Sequence, residues 1–201
     1  GKPFKTRDGG VMRLETLISD INEQMYQKIM ERGEMTEEEA RATAKIVGLS
    51  AVKYGDLSNQ ASKDYIFDID RFTSSEGDTG PYILYTIARI KSILRKYEEV
   101  KGGVNSLTIG EATNDSEKAL MLELTKFNAM MENACEEHAP HKVCAFIYDL
   151  ANAFNKFYHD TKILAEEDKE KQQSYIALLK LTESLLNTCI DLLGFEAPER
   201  M

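Results

Sequence analysis

Three residues between positions 80 and 90 have the types and the spacing of a single-stranded nucleic-acid contact. Tyr82, Tyr85 and Arg89 follow Gly80 and Pro81, and a proline is favoured at the first position of a helix. At about 100° per residue, the two tyrosines and the arginine fall on one face of that helix. A tyrosine ring stacks on a splayed base, and an arginine donates to phosphates or base edges. The segment therefore predicts a helix face, here called the stripe, that could hold RNA.

Basic residues flank the stripe. Lys91, Arg95 and Lys96 add positive charge along the same helix. Its opposite side carries apolar residues at core spacing, namely Ile83, Ile87, Ile90, Leu94 and Tyr97. A competing interpretation makes the two tyrosines ordinary half-buried core aromatics and leaves the basic residues in solvent. The pattern alone leaves both interpretations open.

The composition limits the class of protein. The chain has 201 residues and a net charge of −9, whereas a generic nucleic-acid binder is expected to be basic. A local basic face remains compatible with this charge. Three cysteines in no zinc or redox spacing favour a reduced, cytoplasmic protein. The sequence has no apolar run near the roughly 18 residues that span a bilayer, so we expect no membrane partner.

Apolar periodicity elsewhere predicts an antiparallel helical bundle in the all-α class. Helices are expected over 11–31, from 36 to 54 or 57, over 81–99, from 114 onward, over 142–162 and over 167–193. Thr36 and Glu39 form a predicted capping box. Residues 63–72 alternate polar and apolar, which favours an extended or strand-like connector. Residues expected to face inward in the helix that starts at Asn114 are Leu120, Leu122, Leu124, Phe127 and Met131.

Four segments carry a family resemblance. They read KPFKTRDGGVMRL (2–14), YGDLSNQASKDYIFDIDRF (54–72), GPYILYTIAR (80–89) and APERM (197–201). Together and in this order they resemble the arginyl-tRNA synthetases, from the first residue of the chain to the last. The resemblance implies a class I enzyme and a helical bundle of the anticodon-binding type.

The resemblance also implies a division of the chain. Residues 1–15 resemble the tail of the catalytic domain, and 16–201 the helical anticodon-binding domain. FKTRDG (4–9) is similar to the KMSKS-type loop that stabilises ATP phosphates, with Lys5 and Arg7 as the implied carriers. The alternative for this loop is a flexible basic tail. Since the chain starts at Gly1 in a polar stretch, we expect it to be part of a longer protein.

Carried over one residue at a time, the family pattern implies an anticodon site. Tyr82, Tyr85 and Arg89 match GPYxxYxxxR, Tyr158 in FNKFYHD matches a later tyrosine, and Met201 matches a terminal methionine. All arginine codons have G in the middle, so the cognate anticodons share a central C, which is the implied target. Lys91, Arg95 and Lys96 are expected to contact the tRNA backbone.

The implied activity is ligation of arginine to tRNA(Arg) with ATP and Mg²⁺ by the full-length enzyme, with an upstream catalytic domain as partner. We expect these 201 residues to hold no cofactor and no metal, to be inactive alone, and to bind tRNA but not DNA. His138, His141 and Cys144 have approximate metal-ligand spacing, but Pro140 interrupts it. Two other functions stay open, a helical protein-interaction bundle and a free-standing regulatory domain with the same fold.

Overall fold

A computed structural model describes residues 13–102 and 108–201, and in these ranges the chain is helical without a strand. This confirms the all-α prediction. The helices are α1 (Leu14–Arg32), α2 (Glu37–Leu57), α3 (Ile69–Phe72), α4 (Gly80–Lys101), α5 (Asp115–Thr125), α6 (Phe127–Glu136), α7 (Pro140–Asp160) and α8 (Lys169–Leu192). Within the described ranges, no helix combines the length and the apolarity that crossing a membrane requires.

The first two helices form a hairpin whose ends follow from local chemistry. Gly33 adopts φ 70° and ends α1, and the left-handed region suits glycine. The predicted capping box is confirmed, because the Thr36 hydroxyl accepts from the Glu39 N–H while the Glu39 carboxylate accepts from the Thr36 N–H. Alanines 40, 44 and 51 of α2 are at most 1% exposed and lie on one face of the helix, whereas Leu49 on the opposite face is 37% exposed.

Helix α4 is the central element and lies against α2, α7 and α8. The predicted core face is confirmed, since the side chains of Ile83, Ile87 and Ile90 are fully buried. A Cβ on Gly80 would stand well inside van der Waals distance of the Ser50 carbonyl oxygen. The start of α4 therefore packs directly on the backbone of α2, which fixes where the stripe begins.

Two predictions about the middle of the chain were only partly right. Residues 64–68 form a connector without a strand, but the Asp68 carboxylate accepts from the Arg71 N–H and caps the short helix α3, so the rest of the predicted connector is helical. The helix expected from Asn114 is two helices, broken at Lys126. Leu122 is 54% exposed rather than inward, since it lies about 200° around the helix from the buried Leu120.

Candidate nucleic-acid interface

The stripe is presented by the first half of α4. The Thr79 hydroxyl accepts from the Tyr82 N–H at 3.2 Å and caps the helix, and Pro81 occupies its first turn. Because the opposite face of α4 packs into the core, the side chains of Tyr82, Tyr85 and Arg89 point away from it and are half-buried. Tyr82 has different contacts from Tyr85 and Arg89.

Tyr82 is held by α7. Its hydroxyl donates to Asn152 Oδ1 at 2.7 Å and accepts from Asn155 Nδ2 at 3.0 Å. Its ring meets that of Tyr148 edge to face, with centroids 5.9 Å apart. With its hydroxyl and ring both engaged, Tyr82 joins α4 to α7 rather than lining the cleft described below.

Arg89 brings the other two aromatic residues together. The carbon of its guanidinium lies 5.3 Å from the Tyr85 ring centroid and 5.2 Å from that of Tyr158 on α7. The guanidinium also donates to Asn155 Oδ1, a half-buried amide that sits between the two helices. Tyr158 is 43% exposed and stacks on Phe154, so part of its ring remains available. The result is an arginine set between two accessible tyrosine rings.

These residues open onto a cleft of about 800 Å³. We call it the basic cleft, because its lining includes five cationic side chains and one carboxylate, Glu34. The cationic residues are Arg89, Arg95, Lys96, Lys162 and Arg200. Tyr85, Tyr158 and Met201 also line it, so the cleft gathers six of the eight residues predicted for tRNA binding. Tyr82 and Lys91 are the two that lie outside its lining.

The chain terminus reaches the basic cleft through a defined turn. Gly194 adopts φ 80°, and the N–H groups of Gly194 and Phe195 donate to the carbonyls of Asp191 and Ile190, a Schellman motif that ends α8. Phe195 is 5% exposed and anchors the following residues. Met201 lines the basic cleft and also a second cavity of about 420 Å³ beside α1.

Lys91 forms an ion pair instead of standing free in solvent. Its ammonium lies 2.8 Å from the Glu199 carboxylate, and its side chain is only 18% exposed. The hydrogen bond from Lys91 lowers the pKa of Glu199 below the usual glutamate value. Arg200 pairs in turn with Glu39 at 2.6 Å. Arg95 and Lys96 are exposed on the rim of the basic cleft.

Sequence reasoning missed several residues of this site. Lys162 and Arg200 line the basic cleft, and Asn155 bonds the stripe. Arg200 lies in the recognised segment 197–201 and could have been found there. The other two carry no local signal, because their place depends on how α7 packs on α4.

The described residues form no candidate metal site. Among them, no group of three or more His, Cys, Asp or Glu side chains could hold a metal ion. Burial raises the pKa of the Cys144 thiol to about 12, which keeps it protonated. His138 takes φ 50° as the left-handed residue that ends α6, where its own N–H and that of Ala139 complete a Schellman motif. Lys5 and Arg7 lie outside the described residues.

The arrangement suits single-stranded RNA. Partly exposed tyrosine rings beside a guanidinium can stack on a splayed base, and the surrounding cations can bind phosphates. The Debye length is about 8 Å at physiological salt, so a bound phosphate responds to this local cluster more than to distant acidic residues.

Comparison with known proteins gives these residues a family. Residues 83–201 match the model of the DALR anticodon binding domain, and 1–69 match that of the catalytic domain of class I (R) tRNA synthetases. Arginine–tRNA ligases from Agathobacter rectalis and Alkaliphilus oremlandii are 64% and 55% identical over the whole chain, which covers 35% and 34% of their lengths. The chain thus spans about a third of the relatives it matches.

A solved structure agrees with these sequence matches. The arginyl-tRNA synthetase of Thermus thermophilus superposes with a TM-score of 0.86 at 27% identity, over 96% of this chain and 33% of that one. The predicted resemblance and the predicted bundle type are both confirmed. The chain therefore belongs to the DALR anticodon-binding domain family, in the form found in arginyl-tRNA synthetases.

Proposed function

We propose that the basic cleft binds the anticodon loop of tRNA(Arg). The observation that carries this proposal is the position of the Arg89 guanidinium between the Tyr85 and Tyr158 rings at the cleft of an acidic protein. Cation–π attraction explains one arginine beside a tyrosine ring, but five cations gathered around two partly exposed rings in an acidic protein need a further reason. Base stacking beside a phosphate-binding group gives such a reason.

The central anticodon C is the base we assign to this cleft. Tyr85 and Tyr158 supply stacking surfaces, Arg89 supplies N–H donors beside them, and Met201 supplies an apolar wall. A cytosine presents O2 and N3 as acceptors and N4 as a donor, so an arginine N–H fits its acceptor edge. Tyr82 supports the site indirectly, because it bonds the same Asn155 that accepts from Arg89.

The loop phosphates are the partners proposed for the cationic rim. Arg95, Lys96 and Lys162 are exposed along one side of the basic cleft. Contacts of this kind fix position without reading sequence. They also make the affinity fall as salt rises, because each neutralised phosphate releases counterions.

For the whole protein we propose an arginine–tRNA ligase that uses ATP and Mg²⁺ in the cytoplasm, with Lys5 and Arg7 in the loop that stabilises the ATP phosphates. Family membership supports this proposal. We also propose that residues 16–201 form the anticodon-binding unit, with most of the catalytic domain upstream, although the match to the catalytic-domain model extends to residue 69. Supporting this division, Ile21 of α1 and Ala51 of α2 belong to the same core as Ile87 of α4.

The anticodon proposal is tested by measuring binding of tRNA(Arg) and of a variant whose central anticodon C is replaced. We expect tighter binding of the natural tRNA, by roughly tenfold, since one well-recognised base is worth about 1–3 kcal/mol. Equal affinity for the two RNAs would exclude anticodon reading. Absence of binding to either at low salt would favour the alternative of a protein-interaction bundle.

The ligase proposal has a separate test. We expect the 201-residue chain alone to give no ATP–pyrophosphate exchange above the blank, because adenylate formation needs groups that it does not carry. The same chain joined to the remainder of a relative's catalytic domain should exchange. Exchange by the isolated chain would contradict the assignment of its helices to tRNA binding alone.

A further inference from the structure

We propose that Lys91 and Glu199 are positioning residues that hold the chain terminus so that Met201 forms a wall of the basic cleft. The inference rests on the proposed function, and it gives Lys91 a role other than the phosphate contact expected from sequence. It concerns residues 195–201, here called the terminal segment.

The terminal segment is fixed at its start by burial and at its end by charge. Phe195 and Pro198 are buried, which directs the chain across α4 and α2. Beyond Pro198 the side chains of Glu199 and Arg200 are 86% and 61% exposed and contribute little packing, and Met201 is only partly buried against the core. Two ion pairs to different helices hold the exposed pair, Glu199 and Arg200.

The two ion pairs act on opposite sides of the terminal segment. Glu199 pairs with Lys91 of α4, and Arg200 pairs with Glu39 of α2. Glu39 also supplies the carboxylate of the α2 capping box, and this contact holds Glu39 in place independently of the terminal segment. Because Glu199 and Arg200 are each held by an ion pair, the position of the next residue, Met201, is restricted.

Lys91 is badly placed for RNA and well placed for Glu199. Its side chain is only 18% exposed and lies outside the lining of the basic cleft, whereas Arg95 and Lys96, four and five residues further along α4, are exposed on the rim. A phosphate contact by Lys91 would bring the phosphate against the Glu199 carboxylate, whose negative charge repels it. The structure therefore favours Lys91 as the fixed partner of the terminal segment.

Displacement of Met201 would alter two cavities at once. Met201 lies in the lining of the basic cleft and in that of the cavity beside α1, and with Glu34, which also lines both, it forms part of the wall between them. If the terminal segment moved away, the two spaces would merge and a base would lose its apolar wall. Glu199→Gln removes both the ion pair and a negative charge. We expect it to weaken RNA binding, because the terminal segment is then no longer held in place.

The direction of the change in RNA affinity distinguishes a positioning role from simple electrostatic repulsion. A carboxylate near a polyanion repels it, so its removal ordinarily strengthens RNA binding. Positioning predicts the opposite for Glu199→Gln. Glu98→Gln is the matched control. Glu98 is an exposed glutamate of α4 that also pairs with a lysine, but its partner is Lys180 and not a residue of the terminal segment.

The experiment measures dissociation constants of the 201-residue chain for an anticodon stem-loop of tRNA(Arg) at fixed low salt. Lys91→Met, Glu199→Gln and the double variant are compared with the unchanged chain. We expect each single variant to bind roughly two- to fivefold more weakly, the range of a partly exposed ion pair, and the double variant to match the single ones. Glu98→Gln should bind as tightly as the unchanged chain or slightly more tightly.

A chain that lacks Met201 closes the test. Without Met201, Glu199→Gln should no longer weaken binding, since there is no wall left to position. Tighter binding by Glu199→Gln, or additive effects of Lys91→Met and Glu199→Gln, would overturn the positioning role. These outcomes are distinct from failure of the proposed function, in which the unchanged chain itself shows no preference for the central anticodon C.

Discussion

Replacement of Arg89 by alanine probes the center of the proposed site, and it should reduce folding stability and RNA affinity together. In the free protein the guanidinium lies over the Tyr85 and Tyr158 rings and donates to Asn155. It therefore joins α4 to α7 before any RNA arrives. Alanine removes these contacts and leaves both rings freer to rotate.

The stability loss follows from the contacts. Each cation–π pair near the surface is worth about 0.5–1 kcal/mol, and a partly exposed hydrogen bond adds about 1 kcal/mol. Water regains access to the site in the variant, so we expect a net loss of about 1–2 kcal/mol. For a domain of this length that lowers the Tm by about 2–8 °C, since each kcal/mol corresponds to about 2–4 °C.

The affinity loss has its own origin. Binding of the anticodon loop should weaken by at least about 1 kcal/mol, roughly five- to tenfold, because the N–H donors at the base are gone. Preference for the central C should fall in parallel. Fluorescence anisotropy with a labelled stem-loop, carried out well below the Tm of the variant, measures this change on folded protein.

Arg95→Ala is the matched control on the same helix. Arg95 lies on the exposed rim, so its loss should leave the Tm and the base preference unchanged and should lower the slope of log K against log salt by about 1. If Arg89→Ala changed only the salt slope and kept the base preference, the central role of Arg89 would be refuted. An unchanged Tm would refute its role between the helices.

Three further predictions concern the frame around the site. Gly80→Ala should destabilise the fold by about 1–3 kcal/mol in denaturant titration, because the new methyl group meets the Ser50 carbonyl; a neutral result would mean that α4 shifts freely. Tyr54→Phe should cost about 1–3 kcal/mol in the same titration, since the buried hydroxyl donates to Asp78, and the cost would be absent if Asp78 found water instead. Burial and, to a smaller extent, the nearby Glu123 raise the pKa of Asp149, so the charge of Asp149 opposes folding at neutral pH. Asp149→Asn should therefore raise the Tm at pH 7, and the gain should shrink as the pH falls through the acidic range. A gain in Tm that persisted at acidic pH would have another cause.

Local signals predicted what depends on local chemistry. The start of α4 is set by Thr79, Pro81 and the helical spacing of its isoleucines, all within one segment of sequence. The capping box of α2 is equally local. The two predictions that were only partly right concern segments where short-range alternatives compete. Asp68 caps a helical turn in a segment with strand-like alternation, and the helix predicted from Asn114 is broken at Lys126 although its apolar periodicity continues.

The rest of the site depends on contacts between distant parts of the chain. Asn155 accepts from Arg89 across 66 positions, and Lys91 meets Glu199 across 108. Neither partner has a pattern around it that announces the contact, because a lone asparagine or glutamate on a helix or terminus is ordinary in sequence. Among the cleft residues outside α4, only Tyr158 and Met201 were predicted, and that prediction depended on family resemblance and not on periodicity.

The net charge of −9 is compatible with RNA binding because the basic cleft concentrates cations locally. Interactions between exposed charges fade over about 8–10 Å at physiological salt, so an RNA loop inside the cleft responds mainly to a lining in which five cations outnumber the carboxylate of Glu34. An RNA that approaches elsewhere meets a surface with excess negative charge and is repelled. The acidic remainder thus suppresses non-specific binding while the cleft retains its own attraction. Neutralising carboxylates far from the cleft should therefore strengthen binding of non-cognate RNA more than that of the anticodon loop.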